Sequence, residues 1–351
     1  MIKIISVIGA RPQFIKSAPL SKYFKASKIN EIIIHTGQHY DPEMSKIFFD
    51  QLNIPKEKYN LGINQLSHGA MTGRMIEKIE EILLIEKPDF ILVYGDTNST
   101  LAAAIAAVKH HIKIIHVEAG LRSFNRKMPE EINRVLTDNI SDILFCPSGE
   151  AVKNLYQEGI NQENTIVSVV GDVMKDAIAL FSKDNTPYDD DTSDILVTIH
   201  REENIISKEK LSQIVNGLNA LSEEYNLIFP LHPSTKKRLQ EHNLKLNFKT
   251  TKPFGFLEMI RKIKGTRLVI TDSGGLQKEA YYLEKPSLII RDQTEWVELL
   301  QDSVNTLCPT NSNMIINQAK IKLDEKYNFQ RDIYGNDVSN KIIEIIKKNH
   351  H

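Results

Sequence analysis

A chain of 351 residues, 41% hydrophobic and 25% charged, has the composition of an ordinary soluble globular protein with room for two domains. A formal net charge of −1 without a basic block gives nucleic-acid binding no compositional support, and the strand-sized apolar runs fall short of the roughly 20 residues of a membrane span. Cys146 and Cys308 have no metal-type spacing and give no disulfide framework, and the first strand starts almost at Met1, leaving no room for a signal peptide; a cytoplasmic location is expected.

Short β-branched runs alternate with longer helical patterns, the signature of βαβ units in a parallel sheet. The first predicted strand, 2–8, runs into Gly9-Ala10-Arg11-Pro12-Gln13-Phe14-Ile15-Lys16. This turn lacks the Gly-x-Gly-x-x-Gly that lets a backbone approach a dinucleotide, so no NAD-type site is supported. Arg11 and Lys16 there are either a helix start with a solvated lysine or a site for phosphate or carboxylate; two charges at the first βα turn favour the site. At and beyond the end of the strand at 31–36 stand His35 and His39, read as structure or substrate shaping, and a helix is predicted from His68 to Glu86.

The next two strands, 89–94 and 113–117, end in Gly95-Asp96-Thr97 and in Glu118-Ala119-Gly120-Leu121-Arg122. A helix follows that opens on Glu130 and offers Arg134 four residues on, on the same face. Ligands of open parallel sheets bind at the carboxyl ends of the strands. Three carboxylates and two arginines, Arg122 and Arg134, gathered there suit acid–base work on an anionic substrate. His110-His111 is read as surface.

Strands at 142–146 and 166–170 complete a first half, and the polar stretch 183–193 reads as a linker. Alternation restarts with strands at 194–198, 226–231, 267–271 and 286–290. His200 and His232 follow the first two of these in equivalent places, as proton carriers or as hydrogen-bonded structural residues. Ser273, Gly274 and Gly275 form a Gly-rich turn at a helix start, suited either to a diphosphate or to plain N-capping, with Glu279 a turn further on. Arg291 follows the last strand and is expected beside that turn. The tail from Val338 to Ile346 is apolar at helical spacing. The expected domains are 1–170, carrying the carboxylates; 171–334, the nucleotide half; and a C-terminal helix in 335–351 crossing back to the first. His350 and His351 are set aside as resembling a tag.

Taken together, Gly9-Ala10-Arg11-Pro12, Gly95-Asp96-Thr97, His116-Val117-Glu118-Ala119-Gly120-Leu121-Arg122, Pro129-Glu130-Glu131-Ile132-Asn133-Arg134, Thr271-Asp272-Ser273-Gly274-Gly275 and Arg291-Asp292 make the chain resemble the non-hydrolysing UDP-N-acetylglucosamine 2-epimerases over nearly its whole length. The resemblance implies a GT-B type α/β fold, two Rossmann-like domains with parallel sheets facing a central cleft. It also implies a homodimer, a UDP-sugar substrate and no metal or redox cofactor. Gln13 stands where the UDP-GlcNAc branch has Glu, Trp296-Val297 where it has Arg-Pro, and Tyr40 where it has Arg after Gln38-His39. Gln13-Phe14, Met71-Thr72-Gly73-Arg74-Met75 and Thr294-Glu295-Trp296-Val297-Glu298 are similar to the UDP-2,3-diacetamido-2,3-dideoxyglucuronate 2-epimerases, which supply surface polysaccharides. A neutral Gln13 is expected to remove a repulsion against a C6 carboxylate, and Tyr40 argues against activation by UDP-GlcNAc.

The chemistry implied by the family is anti elimination of UDP, giving a 2-acetamidoglucal-type intermediate, then re-addition with the opposite C2 configuration. Motif by motif, the resemblance carries catalytic roles onto Asp96, Glu118, Glu130 and His200. Substrate-binding roles fall to Arg11, Lys16, Arg134, His232, Ser273, Gly274, Gly275, Glu279 and Arg291. A GT-B glycosyltransferase and a hydrolysing UDP-GlcNAc 2-epimerase are the alternatives; the three carboxylates in the first half favour the epimerase.

Overall fold

The computed structural model describes residues 1–38, 49, 52, 54–161, 163, 165–182, 194–301, 303–329 and 333–350. His39, Tyr40, the stretch 183–193 and His351 lie outside them. The chain forms two compact units, Met1–Leu180 with Asp332–His351, and Phe181–Arg331.

The first unit holds strands β1 (Lys3–Ile8), β2 (Asn30–His35), β3 (Tyr59–Asn60), β4 (Phe90–Tyr94), β5 (Lys113–Val117), β6 (Ile143–Cys146) and β7 (Ile166–Val169). Its helices are α1 (Arg11–Ala26), α2 (His68–Glu86), α3 (Asn98–Val108), α4 (Pro129–Ile140), α5 (Gly149–Gln157) and α6 (Val173–Phe181). The strands form one parallel sheet in the order β3-β2-β1-β4-β5-β6-β7. Parallel strands are covered on both faces and so read as continuous apolar runs. Ile5, Val7, Ile91, Val93 and Ile114 of one face bury against Met75, Ile79 and Leu83 of α2 and the alanines of α3. At the far end of α2, Glu86 ties three elements together, pairing with Lys3 at 2.7 Å and accepting from Lys58 Nζ and Tyr59 Oη at 2.6 Å each.

The second unit repeats the plan with β8 (Ile195–Thr198), β9 (Leu227–Pro230), β10 (Thr250–Thr251), β11 (Leu268–Thr271), β12 (Ser287–Ile289) and β13 (Asn305–Leu307), ordered β10-β9-β8-β11-β12-β13. Its helices are α7 (Glu202–Ile205), α8 (Lys208–Leu221), α9 (Pro233–Glu241), α10 (Phe256–Gly265), α11 (Gly274–Tyr282) and α12 (Ser312–Asp324). Alternate strand residues face opposite ways. Ile195, Val197, Leu268 and Ile270 pack on α8 and α12, while Leu196 and Val269 pack on Ile263, Leu276 and Ala280.

The last helix, α13 (Val338–Lys348), belongs to the first unit. Ile342, Ile343 and Ile346 are buried, Tyr23 Oη of α1 donates to Asp337 at 2.8 Å, and Asp176 of α6 accepts from the Ser339 N–H at 2.6 Å. In both sheets the strand order reverses beside the first strand of the unit, between β1 and β4 and between β8 and β11. These are the topological switch points at which such sheets bind ligands.

Candidate functional site

In the first unit the loops after β1, β4 and β5 meet at the switch point. Gly9 lets them close up, since a Cβ there would collide with Thr36 Oγ1 and Ser99 Oγ. Gln13, 2% exposed, is the tie between them. Its Oε1 accepts from the Gly9 and Ala10 N–H groups at 2.8 and 3.0 Å, and its Nε2 donates to Tyr94 O at 2.9 Å and lies 3.0 Å from the Thr97 and Thr100 hydroxyls. The amide is therefore consumed inside the protein as a neutral cross-link between these loops.

Lys16, buried one turn along α1, forms an ion pair with Glu118 Oε2. Glu118 itself has a φ of 71°, in the left-handed region that costs a non-glycine residue about 1–3 kcal/mol. Its N–H and that of Ala119 both donate to Phe145 O, at 3.1 and 3.0 Å, which holds the turn. Asp96 Oδ2 lies 2.5 Å from Arg134 Nη2, and Asn133 Nδ2 donates to the Asp96 carbonyl at 2.9 Å. Burial pushes the Asp96 carboxyl above its ordinary value; Arg134 and Lys16 pull it back, while Glu118 and Glu130 add to the rise. Asp96 thus senses two further carboxylates beside one buried ammonium and one buried guanidinium.

The side chains divide differently from the sequence reading in two places. Arg134 does not pair with Glu130. Its second nitrogen meets Glu131, at 2.8 Å, and Glu131 is the buried member, also accepting from the Ser123 and Phe124 N–H groups, whereas Glu130 is exposed. Arg122 does not offer its charge to an anionic ligand. It is buried, with Nη1 on Asp138 at 2.7 Å and Nη2 on Glu158 at 2.6 Å. Arg11 opens α1 and is half-buried. His35 is buried against Phe14, ring centroids 5.2 Å apart.

In the second unit β8 and β11 are tied at their carboxyl ends by Thr198 Oγ1 and Thr271 Oγ1, 2.6 Å apart. Asp272, with no exposure, accepts from the His200 N–H at 3.1 Å, the Arg201 N–H at 2.9 Å and Asn204 Nδ2 at 3.0 Å. Its carboxylate also lies 3.4 Å from His200 Nδ1, and the His200 side chain remains 42% exposed. A buried aspartate thus aims a half-open histidine. His232 lies beside it, ring centroids 5.9 Å apart, but its Nδ1 accepts from the Ser234 N–H at 3.3 Å and caps α9. Burial, then the His200 ring, push the His232 imidazole down.

The Gly-rich turn starts α11. Ser273 is the N-cap, accepting from the Leu276 N–H at 3.3 Å, and a Cβ at Gly274 would collide with Glu295 Oε1. Gly275 is exposed, with Glu279 Oε1 within 3.8 Å of where its Cβ would stand. Exposed N–H groups at a helix N-terminus attract anions. Arg291 lies beneath this turn, 7% exposed, with Nη1 on Glu295 at 2.8 Å; it supports the turn and does not face solvent. Burial works against ionisation of Glu295, and Arg291 and Arg201 outweigh it, holding the carboxyl below its ordinary value. The Lys278 ammonium sits 3.7 Å above the ring of Trp296, which is 3% exposed.

Local pattern does not expose Glu131, Glu295 or Asp272 as organisers of these turns. Asp272 and Glu131 stand inside the Thr271–Gly275 and Pro129–Arg134 motifs, which mark them without revealing this role.

A family profile described as UDP-N-acetylglucosamine 2-epimerase matches residues 22–347. The chain is 47% identical over 353 residues to the UDP-2,3-diacetamido-2,3-dideoxy-D-glucuronate 2-epimerase of Pseudomonas aeruginosa, covering 99% of this chain and 100% of the relative. It is 50% identical over 364 residues to a UDP-N-acetylglucosamine 2-epimerase homolog of Methanococcus maripaludis, covering 99% of each. Among solved structures, the UDP-GlcNAc 2-epimerase of Methanocaldococcus jannaschii in complex with UDP-GlcNAc and UDP superposes with a TM-score of 0.89 at 42% identity, covering 99% of this chain and 100% of that one. The glycosyltransferase SpnP, at 10% identity and a TM-score of 0.64, shares the GT-B type fold alone.

Proposed function

Because the chain belongs to the UDP-N-acetylglucosamine 2-epimerase family, and is thus an isomerase, we propose that it inverts C2 of a UDP-linked 2-acetamido sugar without net hydrolysis. The substrate is UDP-2,3-diacetamido-2,3-dideoxyglucuronate or UDP-GlcNAc, and the manno product feeds a surface polysaccharide. The observation that carries this reading is the acid cluster at the first switch point, with Asp96 and Glu118 in unlike environments, one against Arg134 and one against Lys16.

The reaction needs a proton taken from one face of C2 and one returned to the other. In the forward step a carboxylate takes the C2 proton, the C1–O bond breaks, and its electron pair leaves with UDP. Re-addition of UDP at C1 accompanies delivery of a proton to the opposite face of C2. Two carboxyls whose environments set them apart are suited to such a relay. Glu118 and Asp96 serve the two faces in this proposal, and Glu130, which acts on Asp96 through its charge, assists. Leaving-group charge is met by His200, Arg11 and the Ser273, Gly274 and Gly275 amides, with Glu279 on the ribose hydroxyls. Lys16, Arg134 and Arg291 act indirectly, by holding the acids and the turn, and His232 shapes the surroundings of His200.

The working unit in this reading is a homodimer. Its support is an apolar pair left exposed one turn apart on α4, Ile132 and Leu136, each 46% exposed. No helix among the described residues is long and apolar enough to cross a membrane. Two buried free cysteines suit the reducing cytoplasm, where we place the reaction.

The test is proton NMR in D2O with each nucleotide sugar offered separately. Deuterium at C2 with a manno product establishes the reaction, and the tube that shows it names the substrate. Exchange in neither tube, with transfer to an added acceptor, would turn the assignment to a glycosyltransferase.

A further inference from the structure

One buried polar pair below the acids has no part in the roles above. His116 of β5 and Asp138 of α4 have no side-chain exposure. His116 Nδ1 lies 2.7 Å from Asp138 Oδ1, and its Nε2 lies 2.7 Å from the Gly95 carbonyl oxygen. A carbonyl only accepts, so Nε2 carries a hydrogen. Asp138 accepts in addition from the Gly120 N–H at 3.1 Å and from Arg122 Nη1 at 2.7 Å. Burial opposes its ionisation, but His116 and Arg122 outweigh burial and hold it below the ordinary carboxylate range. The ring thus stands between two oxygen atoms, the Gly95 carbonyl on one side and the Asp138 carboxylate on the other.

What this bridge connects is specific. Gly95 is the residue before Asp96, and Gly120 stands two after Glu118. Gly95, Glu118 and Gly120 all sit in the left-handed region, at φ of 64°, 71° and 78°. Backbone of this kind persists only where its surroundings over-determine it. A buried ion pair is a costly way to fill a core, and an apolar pair of the same volume does as well for stability. Its value lies in two directed hydrogen bonds that leave in opposite directions.

We infer that His116 is a positioning residue, donating to the Asp96 loop on one side and hydrogen-bonded to Asp138, which grips the Glu118 loop, on the other, and so fixing the separation of the two acids. The inference rests on the epimerase reading. Its ligand-independent part, a ring held between the Gly95 carbonyl and Asp138, stands on the hydrogen-bond geometry alone.

Two substitutions split the bridge. His116→Asn keeps a donor near the Nδ1 position and loses the link to Gly95; His116→Gln keeps a donor near Nε2 and loses the link to Asp138. Both are assayed on the full-length chain by C2 deuterium exchange, with thermal unfolding recorded alongside. Each variant is expected to lose exchange kcat by about 10²-fold, the scale of a 1 Å misplacement of reacting groups, with KM unchanged within twofold. A fold-filling role instead predicts a lowered Tm with kcat per folded molecule preserved, and that result would overturn the inference. In the wild-type chain, 15N NMR of labelled histidine should show a hydrogen on His116 Nε2, the atom that faces the Gly95 carbonyl; a bare Nε2 would overturn the inference as well. Should the wild type itself show no exchange, the epimerase reading falls, and the nitrogen spectrum still decides the link from His116 to Gly95.

Discussion

Asp272→Asn is the sharpest test of how the second unit is built. The carboxylate of Asp272 is fully buried, and its Oδ2 alone accepts from the His200 N–H, the Arg201 N–H and Asn204 Nδ2 at 3.1, 2.9 and 3.0 Å. An asparagine keeps those three bonds only by pointing its carbonyl at them. Its amide then faces the His200 N–H, which lies 3.1 Å from the oxygen it replaces, donor against donor. Three charge-assisted bonds become neutral, at about 1 kcal/mol each, and relief of one buried charge offsets part of the loss, leaving a net destabilisation of about 2–3 kcal/mol. For a unit of this size that lowers Tm by about 4–12 °C. Trp296, the chain's only tryptophan and 3% exposed within the same unit, reports the transition by fluorescence during urea unfolding. The same change loosens the His200 ring, so kcat is expected to drop with it. A destabilisation under about 0.5 kcal/mol with kcat intact would refute the claim that Asp272 aims His200, because a surface-like effect of that size means its bonds are replaceable.

Glu118→Gln should abolish C2 deuterium exchange, by at least about 10²-fold, while UDP affinity measured by calorimetry stays within twofold; retained exchange removes Glu118 from proton transfer. Glu279→Ala is expected to weaken UDP binding by about tenfold, one lost hydrogen-bonding group being worth on the order of 1.5 kcal/mol, and an unchanged Kd would move the ribose elsewhere. The Glu86 carboxyl is held down to about 2, first by Lys3 and then by Lys58 and Tyr59. A folded value below the unfolded one means that this contribution is complete above about pH 4.5 and is lost as pH falls towards 2. Glu86→Gln should flatten the acid limb of the stability curve across that window, and identical slopes in the two proteins would count against the ion-pair cluster.

Much of this architecture is legible in the sequence because parallel strands covered on both faces must be runs of β-branched residues. The runs at 89–94 and 113–117 stand out for that reason, and Asp96 and Glu118 stand out as the first charges beyond them. The strands that escape notice, Tyr59–Asn60, Thr250–Thr251 and Asn305–Leu307, are edges of two or three residues without an apolar run. The arginines are harder. Arg122 finds Asp138 and Glu158 at separations of 16 and 36 residues, so nothing local reveals that its charge is already neutralised. Glu130 and Glu131 differ only in helical phase, and the phase is set by which residue reaches Arg134 and the Ser123 turn. His116 reads as one more member of a buried strand until its two ring nitrogens are seen to face two acceptors.

The placement of α13 has a consequence for how the protein is made. The second unit is one continuous stretch of chain, whereas the first is interrupted, with Ile342, Ile343 and Ile346 supplied only after the whole of the second has been synthesised. A ribosome delivers residues at about 5–20 per second, so the nascent first half waits many seconds with the apolar flank of α1 uncovered. During that interval the unit that emerges later can fold to completion before the one that emerged first.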